Sequence, residues 1–78
     1  MYYVYILRLS NGDYYAGSTQ DLPKRFEKHN NGEVSHTSKY RPLSLVWYSA
    51  FENKQKAVNF EDYFKTASGK AFRNKRLV

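Results

Sequence analysis

Residues 2–9 read Tyr-Tyr-Val-Tyr-Ile-Leu-Arg-Leu, and just beyond them Asn11-Gly12 supplies the pair that best tolerates positive φ in a tight turn. A run this rich in aromatic and β-branched side chains favours strand, and the turn sends Asp13-Tyr14-Tyr15-Ala16-Gly17 back antiparallel. The chain thus commits early to a hairpin. Its pleat places Tyr3, Tyr5 and Leu7 on one side of the first strand and Tyr2, Val4 and Ile6 on the other. The run is apolar enough to be covered on both faces.

Downstream, Asp21 is a good N-cap and Leu22-Pro23 fills the first helical positions, so a helix is expected to run to about Asn30, where Asn31-Gly32 stops it. Leu22, Phe26 and His29 lie along one stripe, and Arg25 and His29 stand one turn apart, so their side chains project together. Glu33 to Pro42 is polar and reads as a surface loop free to move. Leu43 to Phe51 is the third strand, with Leu45, Trp47, Ser49 and Phe51 expected on one face. Asn53 caps a second helix over about 54–67, with Ala57, Phe60, Phe64 and Ala67 as its core stripe and Glu61 beside it. Ser68-Gly69 is expected to end or bend that helix, leaving Lys70 to Val78 as a basic tail, helical or extended. The order β-β-α-β-α predicts an α/β fold: a three-stranded, mostly antiparallel sheet flanked by helices.

Seventy-eight residues make room for one domain, 1–78, with a small core. Without cysteine, neither a disulfide nor a thiolate zinc site can hold it, so stability rests on five Phe, eight Tyr and one Trp. Thirteen Lys and Arg against seven Asp and Glu give +6 at pH 7, which favours a polyanionic partner, nucleic acid first. No segment approaches the roughly 20 apolar residues of a membrane span. The N-terminus also lacks the basic-then-apolar pattern of a signal peptide, so the expected location is cytoplasmic.

Tyr3-Val4-Tyr5 and Tyr15-Ala16-Gly17 on the hairpin, Arg25 and His29 on the first helix and Glu61 on the second together resemble the GIY-YIG nuclease superfamily, over essentially the whole chain. The chain is similar to the small stand-alone bacterial members, which resemble the nuclease domain of a DNA excision-repair protein without its accessory domains. Two departures leave the functional atoms in place: Gly-Ile-Tyr becomes Tyr3-Val4-Tyr5 and Tyr-Ile-Gly becomes Tyr15-Ala16-Gly17. After the second motif, where some relatives carry lysine, stands Ser18. Asn74 matches an asparagine often found downstream of the glutamate.

The resemblance implies phosphodiester hydrolysis, in DNA, by a metal-dependent endonuclease selective for structure rather than sequence. Glu61 would hold a single divalent cation, Mg²⁺ or Mn²⁺, which needs only one or two carboxylates besides substrate oxygens. Arg25 would present its fork to the scissile phosphate. Tyr5 is implied as general base, which requires nearby positive charge to lower a pKa that is ordinarily about 10. Tyr15 would assist as a hydrogen-bond partner and His29 as a proton relay. Lys39, Tyr40 and Arg41 in the loop, and Lys70, Arg73 and Asn74 in the tail, would grip the nucleic acid.

Each residue also has a plainer use. Strand tyrosines are usually core or rim residues, Arg25 with His29 can be a solvated helix face, and Glu61 can pair with Lys65 one turn on. A second reading is therefore a non-catalytic nucleic-acid-binding module of the same fold, and a third is a protein-interaction domain for an acidic partner. Monomer or weak dimer, with a possible protein partner supplying specificity, completes the expectation.

Overall fold

A computed structural model describes residues 1–77; Val78, the end of the expected tail, lies outside the described residues. The elements run β1 (Tyr2–Arg8), β2 (Tyr14–Thr19), α1 (Leu22–Asn30), a 3-10 turn at Ser38–Tyr40, β3 (Ser44–Phe51), α2 (Lys54–Phe64) and α3 (Ala67–Arg76). The sheet order is β2-β1-β3, with both neighbours antiparallel to β1. The strand with the least polar sequence takes the middle, where both its faces are covered. Val4, Tyr5, Ile6 and Leu7 are all buried. Gly12 closes the hairpin at φ 88°, with Leu9 N–H donating to the Asp13 carbonyl at 2.8 Å.

The alternation along β1 sorts two clusters. Val4 and Ile6 pack with Ala16, Ala57 and Phe64, and with half-buried Trp47, Phe51 and Phe60, beneath α2. Here the rings meet edge-on, Phe60 to Phe64 at 4.6 Å and Trp47 to Phe64 at 5.5 Å between centroids. Such contacts let a small core reach useful stability. On the other face Tyr5 and Leu7 pack with Leu9, Leu22 and Leu43, joined by Tyr3, Tyr15, Phe26 and Leu45.

Three expectations are corrected. Leu45 does not share a face with Trp47 and Phe51: Ile6 pairs with Trp47 but Leu7 pairs with Leu45, so Val46 is an extra residue in a β-bulge. The bulge sends Leu45 to the α1 side, so β3 serves both clusters. The second helix stops at Phe64 rather than at 67, and Ala67 is exposed. Thr66 then caps a third helix, its hydroxyl oxygen accepting from Gly69 N–H at 3.0 Å. Gly69 thus lies in the first turn of α3, where a Cβ would overlap the Tyr63 carbonyl. Close approach of two helices, not helix termination, is the use of that glycine.

The loop between α1 and β3 is tied rather than free. Ser10 N–H donates to the Tyr40 carbonyl at 2.9 Å, and the Arg41 guanidinium donates to the carbonyls of Ser38 at 3.0 Å and Asn30 at 3.3 Å. Thr37, in its middle, is fully buried. Among the described residues no helix is long and apolar enough to cross a membrane.

Candidate active site

Tyr5 sits at the centre of β1 on the α1 face, directly across from Gly17 of β2. A Cβ at position 17 would press into the Tyr5 phenol, so the missing side chain is what admits the ring. The Asp21 carboxylate caps α1 by accepting from Lys24 N–H at 3.1 Å, and the helical spacing turns Arg25 and His29 inward together. Arg25 Nε–H donates to the Tyr5 oxygen at 3.3 Å, and His29 Nε2 lies 2.9 Å from the same oxygen. On its far side, His29 Nδ1 lies 2.8 Å from Thr37 Oγ1. Tyr15 meets His29 by its ring edge, centroids 5.3 Å apart, and on its other side lies 6.3 Å from the ring of His36.

Burial sets the protonation of this network. His29 is pushed down to about 4, first by loss of water and then by the Arg25 charge, so its imidazole is neutral at pH 7. Tyr5 is raised above the ordinary phenol range, because burial outweighs the hydrogen bond and charge of Arg25; the carboxylate of Glu61 adds to the rise. This reverses the expectation that positive charge would depress it: the phenol is protonated at rest. The Arg25 guanidinium is itself held more firmly charged, first by its bond to Tyr5.

Glu61 belongs to a second group. Ser18 pairs with Val4 and therefore points to the α2 face, where its hydroxyl donates to Glu61 Oε1 at 2.6 Å. Lys65 Nζ donates to Glu61 Oε2 at 2.8 Å, one helical turn on. That bond raises the Lys65 ammonium above its ordinary range. Ser18 thus orients the acid, and Lys65, the C-cap residue of α2, supplies the cation. The two groups share no direct hydrogen bond. They meet around β2: Tyr15 and His36 line one cavity of about 420 Å³ with Lys65.

Among the described residues no group of three or more His, Cys, Asp or Glu could hold a metal by itself. A chelating cage of the zinc or calcium kind is therefore not built from these side chains. One carboxylate, oriented by a serine hydroxyl and with its side chain 17% exposed, fits Mg²⁺ or Mn²⁺, hard cations that retain waters and take substrate oxygens.

The expected nucleic-acid contacts divide. Lys39 and Tyr40 are exposed on the loop. Arg41 is exposed as well, but it is spent on the carbonyls that close the loop. On α3, Lys70 is exposed, whereas Arg73 is only 8% exposed. Its guanidinium sits 5.4 Å from the Tyr14 ring centroid, and its Nε–H donates to Asn74 Oδ1 at 3.3 Å. Arg73 is thus a largely buried helix residue, not part of a solvated tail. Asn74 bonds Arg73 rather than Glu61, and with Lys70 it lines a cavity of about 510 Å³ at the hairpin tip. Thr37 and Lys65 escaped the sequence reading as functional residues: Thr37 lies in a polar loop, and Lys65 has the spacing of an ordinary i+4 partner.

Comparison with known proteins agrees with this geometry. The family model for the GIY-YIG catalytic domain matches residues 1–76. A UPF0213 protein of Clostridium perfringens is 41% identical over 78 residues, covering 99% of this chain and 80% of that one. The UPF0213 protein YazA of Bacillus subtilis is 34% identical over 70 residues, covering 88% and 71%. The solution NMR structure of UPF0213 protein BH0048 from Bacillus halodurans superposes with a TM-score of 0.57 at 35% identity, over 91% of this chain and 80% of that one. The phenol, guanidinium and imidazole joined on one side of β2, the carboxylate on the other and the match across nearly every residue give one answer: this chain belongs to the GIY-YIG nuclease domain family.

Proposed function

We propose that this protein is a divalent-metal-dependent endonuclease that hydrolyses phosphodiester bonds in DNA and selects its substrate by structure. The observation that carries the reading is the chain Arg25–Tyr5–His29, half-buried at the guanidinium and buried at its other two members, in which a neutral imidazole stands 2.9 Å from a protonated phenol. Arg25 binds the scissile phosphate through the guanidinium nitrogens that Tyr5 does not use. A water in line with that phosphate gives its proton to the Tyr5 oxygen as Tyr5 passes its own to His29 Nε2. The phenol therefore works without resting as phenolate. Phosphate bound at Arg25 also offsets the charge that helps hold His29 low, so the imidazole becomes a better acceptor when substrate is in place.

Tyr15 keeps water from the back of the imidazole and fixes its plane. Glu61 and Ser18 would hold Mg²⁺ or Mn²⁺, which when bound supplies charge balance to the phosphoryl and departing oxygens. Lys65 and Lys70, exposed beside Tyr14 and Tyr15, offer phosphate contacts and ring faces to the strand leaving the site. Lys39 and Tyr40 contribute from the loop. Backbone-directed cations of this kind select shape, which favours branched, nicked or flapped duplexes.

One observation favours a second reading. Both Glu61 oxygens are already engaged, by Ser18 and Lys65. A module that binds nucleic acid without turnover would show the same ion pair. Cleavage of flapped and nicked DNA with Mg²⁺ or Mn²⁺, by wild type and Glu61→Ala, separates the two. The expected result is unchanged binding with metal-dependent cleavage lost in the variant. Binding without cleavage by the wild type in either metal would establish the module instead.

A further inference from the structure

The buried Tyr5 phenol, 1% exposed, has two polar neighbours within bonding distance: Arg25 Nε–H, which can only donate, and His29 Nε2. Its own proton therefore has one available acceptor, Nε2. At the other side of the ring, Thr37 Oγ1 has Nδ1 at 2.8 Å and the Val34 carbonyl at 3.4 Å. If Thr37 donated to Nδ1, Nε2 would carry hydrogen and the phenol proton would be stranded inside the protein. If Thr37 donates to Val34 and accepts from Nδ1–H, every hydrogen has a partner. The second arrangement is the one that meets the rule that buried polar groups are hydrogen-bonded.

We propose that Thr37 is a positioning residue for the reaction: its hydroxyl holds His29 as the Nδ1-protonated tautomer, so that Nε2 is bare and aimed at the Tyr5 proton. This rests on the nuclease reading for its catalytic consequence but not for its geometry. The step balances without any co-reactant. A water O–H bond breaks and its proton joins the Tyr5 oxygen. The Tyr5 proton joins Nε2 to give an imidazolium whose Nδ1–H still donates to Thr37 Oγ1, and hydroxide forms the new P–O bond as the P–O bond to the departing oxygen breaks. The departing oxygen takes a proton from solvent, and His29 returns its own through Tyr5. Tyr5, Tyr15 and Arg25 are the titratable groups facing the ring, with His36 behind Tyr15. None of them is bonded to Nδ1: Tyr5 asks for a bare Nε2 from one side of the ring, and Thr37 is the group that holds the hydrogen on Nδ1 from the other.

The test reads the tautomer directly. Long-range ¹H–¹⁵N NMR of the histidine ring in the full chain at pH 7 should show the Nδ1-protonated pattern for His29. Thr37→Val should give a mixed or Nε2-protonated pattern, and its kcat should fall about 10- to 100-fold with KM and DNA binding unchanged. Thr37→Ser should restore both. A wild-type Nε2-protonated spectrum overturns the assignment without any variant. So does a Thr37→Val protein that keeps both the wild-type spectrum and the wild-type rate. The spectra need no turnover: a wild type that cuts no nucleic acid overturns the nuclease reading and the catalytic role of Thr37, while the Nδ1-protonated spectrum still upholds the tautomer.

Discussion

Gly17 and Ser18 are neighbours on β2 that serve opposite faces. Gly17 makes room for a phenol locked into a buried network with Arg25, His29 and Thr37. Ser18 points the other way, to a carboxylate that shares its other oxygen with a lysine whose side chain is 59% exposed. The first half is dry and fully hydrogen-bonded, so its geometry is fixed before substrate arrives, and removing any member strands another. The second is half-buried at the carboxylate and held by an ion pair whose lysine is exposed, and such a pair contributes little to folding and exchanges partners easily. Proton transfer needs a fixed distance, whereas a metal and a phosphate need a place that can be vacated. On the proposed nuclease reading, the two halves divide these demands.

Tyr5 and Glu61 stand on opposite sides of β2, one in the fixed half and one in the exchangeable half. Tyr5→Phe and Glu61→Gln are both expected to lower cleavage by about 10²- to 10⁴-fold. Only Tyr5→Phe should also destabilise the fold, by about 1–3 kcal/mol, because it leaves His29 Nε2 without its donor in the interior. Glu61→Gln should stay within about 0.5 kcal/mol, since its ion pair is screened and Ser18 retains an acceptor. Urea denaturation beside the cleavage assay measures both quantities. Equal destabilisation by the two substitutions would abolish the distinction between a fixed and an exchangeable half.

A smaller effect follows from His29. Its folded-state pKa of about 4 lies below the unfolded value of about 6.5, so as pH falls the unfolded chain takes the proton first. The stability His29 contributes by staying neutral is whole above pH 6.5 and is lost as pH descends toward 4. The loss amounts to about 2–3 kcal/mol across that window. His29→Gln should flatten that segment of the stability–pH curve whatever it does to the absolute value. A wild-type curve level between pH 6.5 and 4 would mean that the imidazole is not held in a dry site.

How much of this was legible beforehand varies with the kind of signal. The hairpin, the Asp21 cap and the two faces of β1 were readable because turn chemistry and period-2 alternation are local. So was the Arg25 and His29 pair, fixed by helical spacing. The bulge at Val46 was not: in Leu45-Val46-Trp47 every residue is apolar, and either face accepts any of them. The helix boundary was missed because Ser68-Gly69 has the composition of a breaker. Its glycine is instead there for contact with the Tyr63 carbonyl, which only the fold reveals. Thr37 carries no sequence signal, since its importance lies in a bond to His29, eight positions earlier in the chain. Ser18 read as a missing lysine, and only the sheet register shows that it faces Glu61. The rise of the Tyr5 pKa was invisible because desolvation depends on what the folded chain covers.

The smallest expected effect sharpens the exchangeable half. Lys65 is held charged by its bond to Glu61, so an incoming divalent cation meets a competitor for one carboxylate oxygen and a like charge beside it. Lys65→Met keeps the length and the helix propensity of the side chain while removing both obstacles. The half-saturating Mn²⁺ concentration, read by titration calorimetry on the free protein, should fall about 2- to 5-fold, equivalent to about 0.4–1 kcal/mol. Maximal cleavage should drop in the same variant if Lys65 moves from Glu61 to a substrate phosphate once the metal is seated. Metal affinity and turnover would then change in opposite senses. A Lys65→Met protein that binds Mn²⁺ more weakly than wild type would show that the lysine orients the acid as Ser18 does. The outer half would then be as preorganised as the inner one.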